Sequence, residues 1–311
     1  MLLLFYFCFI VIMLNHRPKY GRWLLGFFDS RLNAPILKGH HTYDDNCEVT
    51  LQNLWDNFDH YYAVHLGDWF LASFVIRDPV LLHMWSIMDE ILELSWQHIL
   101  PHFRECWWDH IFHDVLLSNT PAIFFGLWVQ SKFDMNKFDF FFKYDHNGKL
   151  LPFAQWGVWH CHRKFGIFCH IQGFLSLHFL LGFFINNNLL IPPVHPFPVI
   201  RLLLWFALGA VSFAEAHEDA STWNTVRRYY KPVSGRYRWL GIAIMVSEFA
   251  MCYKYKADTG HINTDAVTPF YIWGPWTFVW VWMVWTWFYL RFKKGHTTKY
   301  PIDEVRRLKR N

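Results

Sequence analysis

The sequence predicts an all-α fold, a polytopic helical membrane protein with about eight transmembrane helices. Charged residues make up 17% of the 311 residues, whereas soluble domains are nearer a quarter charged. Aromatic residues reach 21%, and Trp and Tyr are enriched where a membrane meets water. Long segments also lack Asp, Glu, Lys and Arg, the clearest being 165–200 and 266–290. Since about 20 apolar residues cross a hydrocarbon core of about 30 Å, these segments predict membrane spans.

All eight apolar segments are expected to be helices. A helix satisfies its own backbone polar groups in lipid, and these segments are longer than the strands of a membrane barrel. The Pro-rich stretch 192–198 separates two of them. The polar segments 15–52 and 131–164 are expected to lie outside the core or on its surface. The candidate spans are roughly 1–14, 60–77, 79–100, 110–131, 165–186, 196–214, 237–254 and 268–290.

One integral membrane domain, residues 1–311, accounts for the chain, because no internal repeat or low-complexity tract divides it. The tail 291–311 is strongly basic, and a basic cluster beside a span marks the cytosolic side. A second basic cluster follows the first span, at 16–22. If both clusters were cytosolic, an even number of spans would separate them. One of the seven predicted between them would then be re-entrant or miscounted, with 79–100 the first candidate.

Composition also excludes some classes of function. A net charge of +4 is too small to indicate nucleic-acid binding. The six Cys residues form no CxxC pair, so neither a zinc ribbon nor a thioredoxin-type motif is indicated. Cys106 lies beside two Trp residues and is expected to be packed rather than reactive.

Three acids lie where a membrane span should be apolar. Asp89, Glu90 and Glu93 interrupt the segment 79–100, and a charged residue at mid-bilayer costs about 2.5–3.5 kcal/mol on insertion scales. Glu90 and Glu93 share one helical face because they are three residues apart. Such acids are tolerated when they face a cavity inside the protein and are neutralised. One acid alone has the alternative explanation of a misplaced span boundary, but the whole set is harder to explain in that way.

The polar pattern continues into the next segment. If the chain is helical there, Glu105 and Asp109 are neighbours at a spacing of four residues. His110 and Asp114 form a second pair at the same spacing, and Asn119 lies five residues further on, inside an apolar run. These side chains and those of the segment 79–100 are expected to face one another.

A divalent ion would resolve the repulsion within this set. Upstream, His65 lies in the middle of the span 60–77, with Asp68 one turn further on. Clustered carboxylates repel one another and take up protons unless a cation joins them. Oxygen-only ligands favour a hard divalent ion, and a flexible carboxylate cage suits Ca²⁺, while Mn²⁺ or Mg²⁺ would also fit. Zn²⁺ would require His or Cys in the cluster.

The stretch 90–119 carries the most specific motif. It reads EILELSWQHILPHFRECWWDHIFHDVLLSN and resembles the signature of the eukaryotic base-exchange phosphatidylserine synthases, which is close to ELxEx(6)LPNFxECWWDx(4)DxLxxN. The segments 46–50 and 57–65 resemble the lead-in to that family's functional His, and 192–197 resembles a later family element. The likeness covers roughly 42–255 and is strong in 57–126, the predicted catalytic core. It departs at His102, where the family often has Asn, and at Asp68.

The resemblance implies a phosphotransferase of the endoplasmic reticulum membrane. Its implied reaction is a calcium-dependent exchange of the choline or ethanolamine headgroup of a phospholipid for L-serine, without a cytidine-activated lipid. The implied partners are the bilayer, phosphatidylcholine or phosphatidylethanolamine, and L-serine, and a homodimer is left open. His65 suits a general base near neutral pH. The implied catalytic residues are His65, Glu90, Asp114 and Asn119, the substrate contacts are Arg77, His102 and Asn119, and the ion ligands are Glu90, Glu93, Glu105, Asp109 and Asp114.

Other functions fit the sequence less well. A membrane-bound acyltransferase also uses a buried His and Asn, but it does not need so many acids. A cation transporter or channel would spread its acids over both halves, whereas the later spans contain few. A CDP-alcohol phosphotransferase would carry a DGxxAR-type motif, and this chain has no Asp-Gly dipeptide. One localised acidic site favours base exchange.

Overall fold

The computed structural model describes residues 2–33, 46–56, 58, 60–97, 105–145, 147–189, 191, 196–222, 235–255 and 270–293. Helices dominate this part of the chain, which confirms the predicted all-α class. A π-helix, Asp109–Asn119, runs directly into α6. The α-helices are α1 (Leu2–Asn15), α2 (Pro18–Gly26), α3 (Leu51–Asp56), α4 (His60–Ile76), α5 (Pro79–Trp96), α6 (Thr120–Lys132), α7 (His162–Asn188), α8 (Pro196–Thr222), α9 (Gly235–Tyr255) and α10 (Phe270–Phe292).

Each predicted span coincides with a helix, and most ends differ by only a few residues. The largest difference is in α8, which continues to Thr222 rather than ending near 214. The predicted span 110–131 combines the π-helix with α6. The short helix α2 lies in the segment 15–52, which was predicted only as polar, and the short helix α3 begins at the end of that segment.

The helices define two opposite ends of the bundle. Two residues join α4 to α5, so these helices run antiparallel. The start of α4 meets the π-helix, because Tyr62 Oη donates a hydrogen bond to the Leu117 carbonyl at 2.9 Å. The start of α10 meets the end of α5, where Trp276 Nε1 donates to Ser95 Oγ at 2.8 Å. We call this end of the bundle the site end; α4, the π-helix and α10 begin there. We call the opposite end the loop end; it contains the connection 133–161.

Asp78 organises the loop end. Its carboxylate caps α5 by accepting hydrogen bonds from the backbone N–H groups of Val80 and Leu81, and Pro79 suits the first helical position. The same side chain accepts from the Phe140 N–H at 3.0 Å and from Lys143 Nζ at 2.8 Å. One buried carboxylate therefore ties the connection 133–161 to the corner between α4 and α5.

The connection 133–161 is partly buried, contrary to the prediction that it lies outside the core. Phe140, Phe141 and Val158 are almost fully buried and belong to the main apolar cluster. Phe140 packs edge-on against Phe213 of α8 with ring centroids 5.9 Å apart. The prediction rested on the average polarity of this segment, which does not reveal the apolar residues that lie between its charged ones.

Two helical segments in the described part of the chain, His162–Gly182 and Val199–His217, are long and apolar enough to cross a membrane. The segments Leu3–Asn15 and Tyr62–Ile76 are apolar but shorter. In α10, large apolar side chains such as Phe278, Trp285 and Phe292 are mostly exposed. The predicted count of eight crossings remains a prediction.

Candidate functional site

Three helices bring titratable side chains together near the site end. His65 of α4 has its Nδ1 3.8 Å from Asp114 Oδ1 of the π-helix. His110 Nδ1 of the π-helix lies 2.9 Å from Glu90 Oε2 and 3.8 Å from Glu93 Oε2, both on α5. Apart from His65, which is partly exposed, these side chains are buried. The predicted convergence of three neighbouring segments is therefore what the fold provides.

The π-helix explains how the downstream polar residues share one face. Its backbone hydrogen bonds join residues five apart, as in the bond from the Thr120 N–H to the Val115 carbonyl, so each turn takes between about four and five residues. In an α-helix, residues five apart would point in different directions. The buried positions of the π-helix follow the wider period and are Asp109, His110, His113, Asp114, Ser118 and Asn119.

Pro121 lies where the π-helix passes into α6. Proline has no N–H to donate, so it leaves the carbonyl four residues earlier, that of Leu117, without its α-helical partner. The Tyr62 hydroxyl of α4 donates to that carbonyl instead. The same contact joins the helix that carries His65 to the helix that carries Asp114.

Glu90 contacts two side chains of the π-helix. Its Oε2 pairs with His110 Nδ1, and its Oε1 accepts a hydrogen bond from Asn119 Nδ2 at 3.3 Å. Asn119 Nδ2 also donates to Ser86 Oγ at 3.0 Å. These contacts fix the side chains of Glu90 and Asn119 relative to each other and join α5 to the π-helix.

Among the residues that the structure describes, two groups of side chains have the spacing of metal ligands. In each group, one ligand atom per residue lies within 4.8 Å of the others. The groups share His110, so the donor set mixes carboxylates with one imidazole rather than being the oxygen-only set that the sequence predicted. The groups are Glu90, His110 and Asp114, and Glu93, Glu105 and His110.

Several buried polar atoms at the site have no hydrogen-bond partner in the described structure. They include Asp89 Oδ1, Asp114 Oδ2, Asn119 Oδ1 and His110 Nε2. A buried polar group without a partner is unfavourable, and such groups commonly bind an ion or a water molecule. The donor atoms and the uncompensated carboxylates therefore fit a divalent cation.

The other predicted site residues are placed differently. Asp109 is not in either ligand group, and its Oδ1 lies 2.5 Å from His113 Nδ1. Arg77 lies at the loop end, with its guanidinium 5.1 Å from the centre of the Phe138 ring, so the structure does not bring it to the acids. His102 lies outside the described residues. The roles predicted for these three residues remain predictions.

Two features of the site were not predicted from the sequence. The spacing pairs His110 with Asp114, but His110 was not among the predicted ion ligands. The disulfide between Cys47 and Cys106 was not predicted either, although the burial of Cys106 confirms the expectation that it is packed. The spacing of five between Asp114 and Asn119 fits the π-helix, but the usual helical period does not predict it.

Comparisons with known proteins relate the chain to enzymes that are named for the synthesis of phosphatidylserine. A family model described as phosphatidyl serine synthase matches residues 1–256. The chain is 27% identical to phosphatidylserine synthase 2 of Mus musculus over 97% of this chain and 68% of the mouse protein. It is also 27% identical to phosphatidylserine synthase 2 of Homo sapiens, over 95% of this chain and 64% of the human protein. CDP-diacylglycerol–serine O-phosphatidyltransferase 1 of Arabidopsis thaliana is 30% identical over 66% of this chain and 50% of the plant protein. The chain thus spans about two thirds of the vertebrate relatives and half of the plant relative.

Proposed function

The chain belongs to the phosphatidylserine synthase family, and on that premise we propose that it makes phosphatidylserine by base exchange. L-Serine would replace the choline of phosphatidylcholine or the ethanolamine of phosphatidylethanolamine, with Ca²⁺ bound at the acidic site. The observation that carries the proposal is the convergence of His65, Asp114 and Glu90 from three helices. The proposed base and the proposed ion ligands would thereby be within reach of one reacting group.

His65 is the proposed general base. The serine hydroxyl must lose a proton as its oxygen forms a bond to the lipid phosphorus, and an imidazole can accept it near neutral pH. Asp114, 3.8 Å from His65 Nδ1, would stabilise the imidazolium. As the bond from phosphorus to the choline or ethanolamine oxygen breaks, that proton can return to the departing alcohol. The partial exposure of His65 gives a small substrate access to its ring.

The ion would be held by members of the two ligand groups. Glu90 and Asp114 from one group, and Glu93 and Glu105 from the other, supply the carboxylates, with His110 between them. A bound divalent ion supplies a positive charge that offsets the charge growing on the phosphoryl oxygens. Ca²⁺ is the proposed ion because carboxylates dominate the donors, and Mn²⁺ would tolerate the imidazole better.

We also propose that the chain is a multi-pass protein of the endoplasmic reticulum membrane. The two long apolar segments support this location. The exposed aromatic face of α10 supports it further, because an exposed apolar surface of that size indicates contact with lipid or another protein. A phospholipid donor could then reach the acids from the bilayer.

A second candidate reaction uses CDP-diacylglycerol as the lipid donor, and the name of the plant relative favours it. Both reactions form phosphatidylserine, so the donor distinguishes them. Purified protein with labelled L-serine, Ca²⁺ and phosphatidylcholine or phosphatidylethanolamine should form labelled phosphatidylserine without any cytidine nucleotide. The control reaction uses the same vesicles with CDP-diacylglycerol in place of phosphatidylcholine or phosphatidylethanolamine. Product formed only in those vesicles would refute base exchange.

A further inference from the structure

Cys47 and Cys106 are joined by a disulfide, although they are 59 residues apart in the sequence. Cys106 directly follows Glu105 and precedes Asp109 by three residues. A second contact supports the crosslink, because the buried Trp108 donates from Nε1 to the Cys47 carbonyl at 3.2 Å. The segment before α3 is therefore attached at two points to the stretch that carries two of the predicted ion ligands.

The attachment continues into the site through aromatic packing. The Trp108 ring meets His113 edge-on with centroids 5.4 Å apart, and Phe58 meets the same imidazole at 4.8 Å. His113 Nδ1 contacts Asp109 Oδ1. The disulfide thus restricts the position of the start of the π-helix. It thereby also restricts the positions of the Glu105 and Asp109 carboxylates.

The disulfide lies at the end of the bundle opposite to most of the basic residues that the structure describes. The crosslink is at the site end, and disulfides persist on the oxidising side of a membrane, such as the lumen of the endoplasmic reticulum. Some basic residues also lie at the site end, in and beside α2. Of the basic residues in the described ranges, the loop end carries more, and an excess of basic residues marks the cytosolic side. Those in or beside the connection 133–161 are Lys132, Lys137, Lys143, Lys149, Arg163 and Lys164.

We propose that the Cys47–Cys106 disulfide positions the Glu105–Asp109 stretch of the ion site, and that this site opens on the oxidising, lumenal side of the membrane. The sidedness rests on the proposed membrane location, and the positioning role rests on the proposed ion site. The tail from 291 then lies in the cytosol, while the basic cluster 16–22 lies in the lumen. Seven crossings separate them, and no re-entrant segment is needed. L-Serine would have to be supplied on the lumenal side.

Thiol labelling tests the crosslink and its side. Full-length protein denatured without reductant should take up four maleimides, on Cys8, Cys161, Cys169 and Cys252, and six after reduction. Six without reduction would overturn the proposal. In sealed microsomes with the cytosolic face outside, a membrane-impermeant maleimide should label Cys161, at the loop end. It should label Cys47 only after reduction and permeabilisation, and labelling of reduced Cys47 in sealed vesicles would overturn the sidedness.

Ion dependence tests the positioning role. Cys47→Ser/Cys106→Ser, or reduction of the wild-type protein, should raise the Ca²⁺ concentration for half-maximal exchange by about tenfold or more, as expected when a group that orients ligands is lost. Reoxidation should restore the wild-type value, and the double variant should not respond to reductant. Cys8→Ser/Cys161→Ser, which removes two free thiols, should leave the Ca²⁺ requirement unchanged. A loss of active protein with the same Ca²⁺ requirement would show that the disulfide only stabilises the fold.

The outcome for the disulfide can be separated from the outcome for the reaction. Labelling does not depend on activity, and Ca²⁺ binding to wild-type and double-variant protein can be measured by calorimetry. If no lipid exchanges its headgroup but Ca²⁺ binds about tenfold more weakly to the variant, base exchange fails and the positioning role stands. If exchange occurs and both proteins bind Ca²⁺ equally, the positioning role fails and base exchange stands.

Discussion

Buried acids occur at both ends of the bundle, but their charge is neutralised in different ways. At the loop end, Asp78 faces the permanent cation of Lys143, with Nζ 2.8 Å from its carboxylate. At the site, Glu90 is almost as deeply buried and faces the imidazole of His110 at 2.9 Å. A Lys keeps its charge at neutral pH, whereas a His carries it only in part. The fold therefore completes one ion pair by itself, whereas the proposed ion would balance the other acidic region.

A third buried acid follows the pattern of the loop end. Glu248 of α9 is fully buried and accepts two hydrogen bonds from Arg201 Nη2 and one from its Nε. The Tyr6 hydroxyl also donates to Glu248. Breaking a buried pair of this kind leaves an uncompensated charge. We therefore expect substitutions in complete pairs to change stability and substitutions in the acidic site to change catalysis.

The largest expected effect is that of His65→Ala. Loss of a general base reduces the rate by about 10²–10⁴-fold, so exchange of labelled serine should fall by about a thousandfold. The control is His83→Ala, because His83 bonds the Pro79 carbonyl within its own helix, and its activity should stay within about twofold of wild type. If His65→Ala retains activity within a few-fold, the proton is taken by another group.

The next effect is that of Glu90→Gln, which keeps the shape of the side chain and removes one charge. Exchange should fall by about 100-fold because ligand orientation and ion affinity are both lost. Ca²⁺ at 100 times its dissociation constant should stabilise the wild-type protein by about 2.7 kcal/mol, and this increase in thermal stability should disappear in the variant. Without Ca²⁺, the variant should unfold at the same temperature as wild type or higher, since one repulsive charge is gone.

Glu248→Gln is the matched comparison for Glu90→Gln. It leaves Arg201 without a carboxylate and should lower the melting temperature in detergent, while the Ca²⁺-induced stabilisation remains. If Glu90→Gln instead destabilises the protein as much as Glu248→Gln does and leaves the Ca²⁺ response intact, the acidic site is a structural network like the other two.

Lys143→Met should affect stability without affecting the ion. Removing one partner of a buried pair destabilises by about 3–5 kcal/mol, and Asp78 would remain buried at the corner of α4 and α5. Unfolding in detergent should shift to lower temperature, with an unchanged Ca²⁺ requirement in the surviving enzyme. Lys149→Met, at an exposed position of the same connection, should behave as wild type. A changed Ca²⁺ requirement in Lys143→Met would show that the two ends of the bundle are coupled.

Much of this contrast could be predicted from the sequence. Apolar segment length predicts the helices, and the misplaced acids Glu90 and Glu93 predict the site, because both follow from the spacing of residues along one helix. The π-helix could not be obtained in that way, since the usual helical period separates Asp114 from Asn119. The pairing of Asp78 with Lys143 joins residues 65 apart, and local patterns carry no information about such a contact.

The smallest expected effect concerns Arg77, which the sequence predicts as a substrate contact. It follows His65 by 12 residues, or roughly 18 Å along a helix at 1.5 Å per residue. Arg77→Ala should remove a cation–π contact with Phe138 worth about 0.5–1 kcal/mol and change the exchange rate by less than about threefold. Lys132→Ala, which removes a similar contact with Trp128 at the same end, is its control.

The measurement for Arg77 is the KM for L-serine and for the lipid donor. Both values should be the same in Arg77→Ala and Lys132→Ala, because neither side chain lies near the acids of the candidate site. A KM at least about tenfold higher in Arg77→Ala alone, equivalent to about 1.4 kcal/mol of lost binding, would place a substrate group at the loop end. The substrate path would then extend along α4, and the division between a self-neutralised end and a ligand-neutralised end would no longer describe how this protein works.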